Sequence, residues 1–589
     1  MATIRKILIA NRGEIVLRII RTVKEMGREA VAVYETPDQN ALYLRHVKEA
    51  VLLGDGPRKD YLNIEKMIRA ACVTGADAIH PGYGFLAENA DFAAACEREN
   101  IIFIGPPPKV IADMGNKVMA RQAVARTGIP TIPGTTKLSP GDTGIEEAIQ
   151  FAGEQGYPVM LKALAGGGGR GIRKVSDEDE LRAAVPVARL EALSAFNDET
   201  LYAEKCISPA KHVEVQILAD RHGGVIHLGT RDCSIQRRNQ KLLEVAPADL
   251  PQNVLGKIHD AAIRAAMAVG YENAGTVEFL IDPGTNEFWF LEVNTRLQVE
   301  HTVTEMLTGV DIVRQQILIA EGKPLELHQE NRRLQGRAIE VRVNAEDPKN
   351  RFMPEGGKTI EQYRQPGGPG VRLDELIYQG YHIPKEYDSL LAKITVRGYE
   401  WKQTVERLKR ALQDFVITGP RTTIPLYLSI CNEPDFIEGR FDTSYIGTHP
   451  RIFDFTEPEP GYVSIDPVPA VVADLREEKV PLLKEKEPEK SVAVSLEREK
   501  LKSSLTLPEI ESLARIGDIR SPISGTINQI YVEVGDVVED GDILLLMEAM
   551  KMHTQLVSEI NGTVAEIYAQ ESRSVDFGEP LLKIRVDET

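Results

Sequence analysis

Residues 275–301 read GTVEFLIDPGTNEFWFLEVNTRLQVEH, two apolar runs on either side of the turn-like sequence DPGTN. β-Branched and aromatic residues dominate both runs, so the stretch predicts a β-hairpin. Because strand side chains alternate between two faces, Glu292 and Asn294 share one face, and Glu278 on the partner strand can join them. The aromatic and aliphatic neighbours predict that the second strand is largely buried.

Glu278, Glu292 and Asn294 therefore form a candidate metal site. Two carboxylates and an amide oxygen suit Mg²⁺, which takes hard oxygen ligands and can bridge nucleotide phosphates. The alternative is a pair of solvated acids on an exposed face of the sheet. The apolar surroundings of the hairpin favour the metal site.

A candidate anion site follows the hairpin directly. Arg296, Gln298 and Glu300 come immediately after its second strand, and His301 follows them. A cation and an amide beside a carboxylate can bind a small oxyanion and supply a base that deprotonates it.

A second arginine lies in another alternating stretch, RAIEVRVNAEDP at residues 337–348, where Arg342 and Glu340 share a face. Arg342 could belong to the site, or it could form an ion pair with Glu340 on the surface. The sequence by itself favours the surface pair.

A glycine-rich turn lies upstream, in GYPVMLKALAGGGGRGIRKV at residues 156–175. The pattern places Lys162 on one strand and Gly166–Gly169 in the turn before the next. Glycines let backbone N–H groups approach phosphate oxygens that a side chain would block. The G-K-[ST] ending and following helix of a Walker A loop are missing, and a merely flexible hairpin is the alternative.

The composition excludes several classes of protein. A formal charge of −18 over 589 residues argues against non-specific nucleic-acid binding, which needs a basic surface. The five cysteines are scattered without a C-x-x-C pair, which fits a reducing compartment and excludes the usual zinc spacings. The amino terminus turns polar too early for a secretory signal, and no apolar run reaches membrane-spanning length. We therefore expect a cytoplasmic protein with neither a nucleic-acid nor a membrane partner.

The length and pattern predict several α/β domains. The chain opens with KILIA, an amphipathic helical run that Gly27 ends, and the strand-like EAVAVYE, which together predict a βαβ layer over residues 1–114. Its turn, ANRGE, lacks the full G-x-G-x-x-G, so it supports dinucleotide binding only weakly. Composition rich in proline and mixed charge predicts a linker over residues 448–516, with a small docking module as the alternative.

The tail contains an internal repeat. SGTINQIYVEVGDVVEDGDILLLME begins at Ser524, and the related NGTVAEIYAQESRSVDFGEPLLKIR begins 37 residues later at Asn561. Apolar and polar residues alternate between glycine turns, so two such halves predict a small flattened all-β barrel. EAMKM at residues 548–552 then falls at the tip of a hairpin and displays Lys551. An ordinary exposed lysine in a turn is the alternative.

These pieces together resemble a known family. KILIANRGEI, HPGYGFLAEN, GGGGRGI, RDCSIQRRNQKLLE, EVNTRLQVEHTVTEM, RVNAEDP and YDSLLAKI are similar, in this order, to the biotin carboxylase component of the ATP-grasp superfamily. The repeat with EAMKM resembles the biotinyl carrier domains of biotin-dependent carboxylases. The architecture as a whole resembles the α subunit of acyl-CoA carboxylases, and only the linker lies outside the resemblance.

The resemblance implies an α/β multidomain fold that ends in a small all-β carrier. The expected domains are a pre-ATP-grasp domain (1–114), an ATP-grasp domain (115–330, lid about 131–204), a C-terminal α+β domain (331–447), a linker or partner-docking segment (448–516) and a biotinyl carrier domain (517–589).

The resemblance also implies a role for each matched residue. The metal ligands, for Mg²⁺ or Mn²⁺, are Glu278, Glu292 and Asn294, and the site of covalent biotin is Lys551, as N6-biotinyllysine. The implied ATP-binding residues are Lys117, Lys162, Gly166, Gly167, Gly168, Gly169, Glu204, Lys205, Ile207, His212 and Gln236. The implied bicarbonate ligands are Lys241, Arg296, Gln298 and the backbone of Val299. The implied catalytic residues are Glu300 as general base, Arg342 against the enolate-like oxygen of biotin, Lys241 and Arg296.

The implied reaction uses ATP to activate bicarbonate as carboxyphosphate, under a closing glycine-rich lid, and transfers CO₂ to biotin. Two positions depart from the family pattern. Asn239 replaces a frequent histidine, which we expect to change nucleotide affinity modestly, and Cys206 replaces a frequent aromatic residue near the adenine.

The chain contains nothing that resembles a carboxyltransferase. The implied partners are therefore a separate carboxyltransferase β subunit, a biotin protein ligase and a second copy of the chain paired through the carboxylase domain. The expected acceptor is an acyl-CoA of the acetyl or propionyl type. The alternatives are a two-chain carboxylase acting on pyruvate or another 2-oxo acid, and a catalytically silent biotin carrier or scaffold.

Overall fold

A computed structural model describes residues 3–56, 59–164, 172–196, 198–238, 240–329, 334–456, 516–521, 525–549, 552–558, 560–571, 573–575 and 579–586. The chain divides into two compact units, Met1–Ser464 and Ile465–Thr589. Predicted site residues outside the described residues are Gly166–Gly169 and Lys551, and Asn239 and most of the predicted linker lie outside them too.

The chain opens with a parallel sheet between helices, which confirms the predicted βαβ pattern. The elements are β1 (Lys6–Ile9), α1 (Glu14–Glu25), β2 (Glu29–Glu35), β3 (Glu49–Gly54), α2 (Ile64–Thr74), β4 (Ala78–His80), α3 (Ala90–Arg98) and β5 (Ile102–Phe103). The strand order is β3-β2-β1-β4-β5 with all neighbours parallel. Gly27, at φ +69°, follows α1 as the sequence predicts.

A small three-stranded sheet with its own helices comes next. The elements are α4 (Pro108–Gly115), α5 (Lys117–Ala125), α6 (Gly141–Gln155), β6 (Val159–Ala163), β7 (Ile172–Val175), α7 (Glu178–Phe196) and β8 (Leu201–Lys205). β6 pairs antiparallel with β7, and Lys162 lies opposite Ile172. The predicted hairpin around the glycine-rich sequence is therefore present.

An eight-stranded sheet forms the largest layer of the first unit. The strands of this region are β9 (Lys211–Ala219), β10 (Val225–Arg237), β11 (Gln240–Ala246), β12 (Asn273–Ile281), β13 (Phe288–Asn294), β14 (Arg337–Asn344), β15 (Glu346–Asp347), β16 (Met353–Pro354), β17 (Tyr363–Arg364), β18 (Val371–Glu375), β19 (Leu390–Gly398) and β20 (Val416–Ile417). The order in the large sheet is β13-β12-β9-β10-β11-β14-β19-β18, with antiparallel neighbours throughout.

Helices cover this sheet and bury its apolar residues. They are α8 (Gln252–Ala268), α9 (His301–Thr308), α10 (Ile312–Ala320), α11 (Trp401–Asp414), α12 (Ile424–Ile430), α13 (Pro434–Ile437) and α14 (Tyr445–Thr448). α8 packs on β9 and β10, while α9 and α11 pack on β14 and β19. Within the described residues, no helix is both long enough and apolar enough to cross a membrane.

The hairpin predicted from residues 275–301 is β12–β13. Glu278 lies opposite Glu292, and Thr276 lies opposite Asn294. β13 is the edge strand of the large sheet and is only half-buried. The prediction that this strand is largely buried is therefore wrong, because an edge strand has a neighbouring strand on one side only.

Short polar residues begin several helices by accepting hydrogen bonds from the otherwise unpaired N–H groups of the first turn. Asn116 does so for α5, where its side chain accepts from the N–H groups of Val118 and Met119. Lys117 is thereby fixed at the first residue of that helix, next to the hairpin: its Nζ lies 3.7 Å from Glu292.

The first unit extends beyond residue 447. Ile452 is fully buried in the same core as Tyr445, and Phe455 packs against that core. Residues 448–456 thus belong to the body of the unit and not to a free linker, because apolar side chains at these positions are covered.

The second unit contains two four-stranded sheets around one core. Its strands are β21 (Ile516–Arg520), β22 (Gly525–Ile530), β23 (Val537–Val538), β24 (Ile543–Ala549), β25 (Met552–Val557), β26 (Gly562–Ile567), β27 (Ser574–Val575) and β28 (Pro580–Val586). The sheet orders are β21-β28-β26-β23 and β25-β24-β22-β27. β22, β23 and β24 recur as β26, β27 and β28, which confirms the predicted repeat. β24 pairs with β25 through Ala549 and Met552, the residues that flank 550–551.

A buried ion pair within the opening layer packs against an aromatic ring from the rest of the first unit. Arg12 donates from Nε and Nη2 to the two carboxylate oxygens of Asp38, at 2.7 and 2.8 Å, and its guanidinium lies 3.7 Å from the centre of the Tyr387 ring. Both charged side chains are buried. The geometry stabilises the pair because the two hydrogen bonds are bidentate and charge-assisted.

We predict that Asp38→Ala lowers the free energy of unfolding of the first unit by about 3 kcal/mol, because a buried guanidinium is left without its counter-ion. Urea unfolding followed by tryptophan fluorescence measures this unit alone, since both tryptophans, Trp289 and Trp401, lie in it. Asp414→Ala removes the exposed partner of Arg410 and is the control, with an expected loss of at most about 0.5 kcal/mol. Equal losses in the two variants would contradict the assignment.

Candidate functional site

The centre of the candidate site is the ammonium of Lys241, on β11. Its Nζ lies 2.5 Å from Glu214 on β9, 3.1 Å from Glu278 on β12 and 2.6 Å from Glu300, which immediately precedes α9. All three carboxylates are buried. One lysine thus bridges three parts of the fold.

The cations of this cluster keep Glu300 ionised, whereas burial raises the pKa of Glu214. Burial alone would raise the pKa of Glu300, but Lys241 and Arg342 lower it well below the ordinary value. Burial opposes the charge of Lys241 as well, yet Cys233 and the three carboxylates raise the pKa of its ammonium well above the usual range. Glu300 is therefore a carboxylate at neutral pH and can accept a proton once a competing charge leaves it.

Two groups of buried side chains converge closely enough to suggest metal ligands. Among the described residues they are His212, Glu214 and Glu278, and Glu214, Cys233 and Glu300. Lys241 hydrogen-bonds all three of the carboxylates in these groups, so its single positive charge offsets part of their negative charge.

The predicted metal ligands lie at the edge of the same cluster. Asn294 Nδ2 donates to Glu278 Oε1 at 2.7 Å, and His212 Nε2 lies 2.7 Å from the other oxygen of Glu278. Burial would raise the pKa of Glu278, but Lys241 and His212 lower it. Glu292 is more exposed, near Lys117. Two carboxylates that face each other across a hairpin, with an amide beside them, fit a hard divalent cation.

An anion-binding corner lies directly after β13. Arg296 donates to Glu88 at 2.8 Å, to Gln298 Oε1 at 3.1 Å and to Asn294 Oδ1 at 3.2 Å. Gln298 is buried, and its Nε2 has no hydrogen-bond partner among the described residues. A buried unpaired donor is costly, so this amide is free to donate to an acceptor on a ligand.

Arg342 joins the cluster from β14. It donates from Nη2 to Glu300 Oε2 at 3.1 Å and from Nε to Glu244 Oε1 at 2.8 Å. The surface ion pair with Glu340, which the sequence favoured, is wrong. Glu340 is buried and accepts hydrogen bonds from Thr302 and Thr395 instead, because its end of the strand lies under α9 and beside β19.

The predicted nucleotide ligands fall into three places. Lys162 Nζ lies 2.5 Å from Glu204, across the strand pair β6–β8. His212 and Gln236 lie 3.5 Å apart beside Glu278, in the large sheet. Lys205 is directed at the carbonyl group of Gln155, at the end of α6. Ile207 follows β8 in a half-buried loop, as does Cys206.

The backbone of Val299 is fixed by a residue that the sequence did not single out. The fully buried Lys393, on β19, donates to the Val299 carbonyl oxygen at 2.7 Å and lies 3.2 Å from Glu14. The opening layer, the Glu300 loop and β19 therefore meet at one ammonium.

Besides Lys393, sequence reasoning missed four residues that shape the site. Glu214 and the fully buried Arg231 form an ion pair behind Lys241, and Glu88 and Glu244 hold the two arginines. A signal for Glu214 was present, since HVEVQILAD places His212, Glu214 and Gln216 on one face of an apolar strand. Glu88 contacts a residue 208 positions away, which no local pattern indicates.

The arrangement can perform acid–base chemistry on a small anion. It combines cations that attract an oxyanion, an unpaired amide donor, an ionised buried carboxylate and a nearby set of oxygen donors for a metal. Such a site suits phosphoryl transfer to an oxyanion followed by proton transfer.

Four family models match the chain in sequence order. They are "Biotin carboxylase, N-terminal domain" at residues 3–111, "Carbamoyl-phosphate synthase L chain, ATP binding domain" at 116–328, "Biotin carboxylase C-terminal domain" at 340–448 and "Biotin-requiring enzyme" at 517–584.

Individual relatives agree with these matches. Biotin carboxylase 1 of Bacillus subtilis is 48% identical over 448 residues, which is 76% of this chain and 99% of the relative. The 2-oxoglutarate carboxylase small subunit of Hydrogenobacter thermophilus is 48% identical over 454 residues, 77% of this chain and 95% of the relative. A solved biotin carboxylase domain dimer of that 2-oxoglutarate carboxylase, with MgADP, ADP and bicarbonate, superposes with a TM-score of 0.75 at 47% identity, covering 78% of this chain and all of that chain.

We predict a pH signature for the buried carboxyl group of Glu340. Burial raises its pKa from 4.5 in the unfolded chain to about 8, so the folded protein keeps this proton in that interval. The free energy of unfolding of the wild type, relative to that of Glu340→Gln, is therefore highest below pH 4.5. As the pH rises from 4.5 to about 8, this difference falls by up to about 1.4 kcal/mol per pH unit.

Urea unfolding at a series of pH values measures this difference. Glu438→Gln is the control, because Glu438 is an exposed carboxylate whose pKa is lowered by its hydrogen bond from Lys402. Its removal should therefore leave the stability difference from wild type independent of pH above pH 5. A flat difference between wild type and Glu340→Gln across this interval would contradict the prediction.

Proposed function

Because the chain belongs to the biotin carboxylase family and catalyses the ATP-dependent carboxylation of biotin, we propose that the biotin it carboxylates is attached to its own Lys551. The match of residues 517–584 to the "Biotin-requiring enzyme" model, with the β24–β25 hairpin on either side of residues 550–551, carries the proposal for Lys551. The position of Glu300 between Lys241 and Arg342 carries the proposed chemistry, because one carboxylate is in contact with a proposed bicarbonate ligand and with the proposed biotin ligand. The multidomain α/β fold with a terminal all-β carrier, expected from the resemblance, is confirmed.

Bicarbonate is proposed to bind Lys241, Arg296, Gln298 and the backbone of Val299. The unpaired Gln298 Nε2 supports this, because a bicarbonate oxygen would satisfy it. An anion that draws the Lys241 ammonium weakens the contact that keeps the pKa of Glu300 low. Glu300 then becomes a stronger base at the moment that bicarbonate needs to lose its proton.

ATP and a divalent cation are proposed to bind between the three-stranded and the eight-stranded sheets of the first unit. Lys117, Lys162, Gly166–Gly169, Glu204, Lys205, Ile207, His212 and Gln236 are the proposed nucleotide ligands. Mg²⁺, held by Glu278, Glu292 and Asn294, would neutralise phosphate charge during transfer. The hairpin is suited to this role because Lys117 and Lys241 approach its two glutamates from different sides.

Arg342 is the proposed ligand of the biotin ureido oxygen. A guanidinium beside a developing enolate-like oxygen stabilises the charge that appears when the neighbouring nitrogen loses its proton. Phosphate released from carboxyphosphate is the proposed acceptor of that proton, and CO₂ then bonds to the nitrogen.

We predict that the biotinylated chain, incubated with Mg-ATP and radiolabelled bicarbonate, acquires acid-labile label, whereas Lys551→Ala and Glu300→Ala do not. Lys551→Ala lacks the acceptor, and Glu300→Ala lacks the base, which should slow labelling about 100-fold or more. Gel filtration at alkaline pH followed by scintillation counting measures bound label.

Glu438→Gln, remote from the site, is the matched control and should label as the wild type does. Wild-type chain that carries biotin and binds ATP but stays unlabelled would contradict the proposal and leave the silent carrier. Label retained on Lys551→Ala would place the acceptor elsewhere.

The carboxyl group is proposed to pass to a separate carboxyltransferase subunit that carboxylates an acyl-CoA of the acetyl or propionyl type. The second candidate acceptor is a 2-oxo acid, and the 48% identity to a 2-oxoglutarate carboxylase small subunit favours it. A homodimer through the first unit is also proposed, since a related biotin carboxylase domain is a dimer.

We predict that this chain, tagged and purified from its native cell together with its carboxyltransferase partner, transfers the labelled carboxyl group to one class of acceptor only. Acetyl-CoA, propionyl-CoA, pyruvate and 2-oxoglutarate are added separately to the labelled complex, and acid-stable products are counted. Transfer of label to an acyl-CoA supports the proposed acyl-CoA acceptor, and transfer to a 2-oxo acid replaces that proposal with the 2-oxo acid acceptor. Because acceptor choice lies in the partner, the isolated chain should discharge to none of them.

A further inference from the structure

Glu244 is a fully buried carboxyl group directly behind the site. It lies on β11, and its Oε1 accepts from Arg342 Nε at 2.8 Å and from Arg342 Nη2 as well. Its other oxygen has no hydrogen-bond partner among the described residues. All the observed hydrogen bonding of this side chain is thus directed at one guanidinium.

The hydrogen bonds of Arg342 leave one part of the guanidinium unused. Nε and Nη2 face Glu244, and Nη2 also donates to Glu300 Oε2 at 3.1 Å. Nη1 has no hydrogen bond to any residue that the structure describes, and 19% of the side chain is exposed. Glu244 and Glu300 therefore accept hydrogen bonds from Nε and Nη2 of the guanidinium, and Nη1 is available to a ligand.

A guanidinium held in this way is fixed in plane and direction. An arginine side chain is flexible, and its ordering costs rotamer entropy when a ligand has to impose it. Glu244 orders the group before a ligand arrives. Burial raises the pKa of Glu244 to about 7, so this carboxyl group is partly protonated at neutral pH. Glu244 therefore offsets only part of the positive charge of Arg342.

We infer that Glu244 is a positioning residue for biotin carboxylation: it holds Arg342 so that Nη1 meets the biotin ureido oxygen, and it takes no part in ATP use or bicarbonate activation. This inference rests on the proposed role of Arg342. The contact of Glu244 with the bicarbonate side is indirect: Glu244 makes no hydrogen bond to Lys241, Arg296 or Gln298, and it reaches Glu300 only through Arg342.

The chain contains a matched control. Glu340 lies opposite Glu244 on the neighbouring strand β14 and is also fully buried. Its hydrogen bonds go to Thr302 and Thr395 and not to Arg342. Replacing either carboxyl group changes the same buried layer, so only a specific effect on Arg342 distinguishes the two variants.

Two rates are compared in the full-length chain. The first is the rate of label transfer from bicarbonate to the biotinylated protein, and the second is bicarbonate-dependent ATP hydrolysis in a Lys551→Arg background that has no biotin. We expect Glu244→Ala to slow label transfer about 100-fold and Glu244→Gln, which retains an acceptor oxygen for Nε, about 10-fold. ATP hydrolysis should stay within about twofold in both, and Glu340→Gln should change neither rate by more than that.

Parallel losses of both rates in Glu244→Ala would overturn the inference, because they indicate a general structural defect. Unchanged label transfer would overturn it as well. If the wild type itself transfers no label, the proposed function fails. Crystal structures of the variants then test separately whether Glu244 positions Arg342. An Arg342 side chain displaced in Glu244→Ala but not in Glu340→Gln supports positioning, and an unmoved one overturns it.

Discussion

The fold of the site depends on one lysine among three buried carboxylates. Glu214, Glu278 and Glu300 come from two strands and a helix start, and each would repel the others without Lys241. Isolated buried charges are unfavourable, so the lysine and the surrounding arginines are what permit this concentration of acids. The large sheet is the scaffold that brings β9, β11 and β12 close enough for one ammonium to reach all three.

Local patterns in the sequence predicted the parts of the site that lie within one hairpin. Glu278 and Asn294 share a face because strand periodicity is two and the turn fixes the register, and both properties are readable in residues 275–301. The pairing of Arg342 with Glu244, 98 positions away, was not readable. It depends on the registry of β11 against β14, which is set by packing over the whole sheet, so the nearer Glu340 was the wrong partner to expect.

The second unit was predictable for a different reason. Its repeat encodes the same strand pattern twice, and the equivalent strands β22 and β26 begin at Gly525 and Gly562, 37 residues apart. Two copies of one half-buried pattern can cover each other around a common core, so the fold follows from symmetry more than from any single contact. By contrast, the end of the first unit was placed too early, because Ile452 lies in a proline-containing stretch whose burial depends on distant residues of the core.

The sharing of Glu300 between Lys241 and Arg342 gives the site an order of events. With no anion present, both cations lower the pKa of this carboxylate and it is a poor base. A bicarbonate ion bound at the proposed site on Lys241 would remove part of that effect, so the base would gain strength only after its substrate had arrived. Arg342 contacts Glu300 on one side and Glu244 on the other, so its proposed biotin-binding nitrogen is held by a residue outside the bicarbonate site. One buried carboxylate thus lies between the two proposed substrate sites.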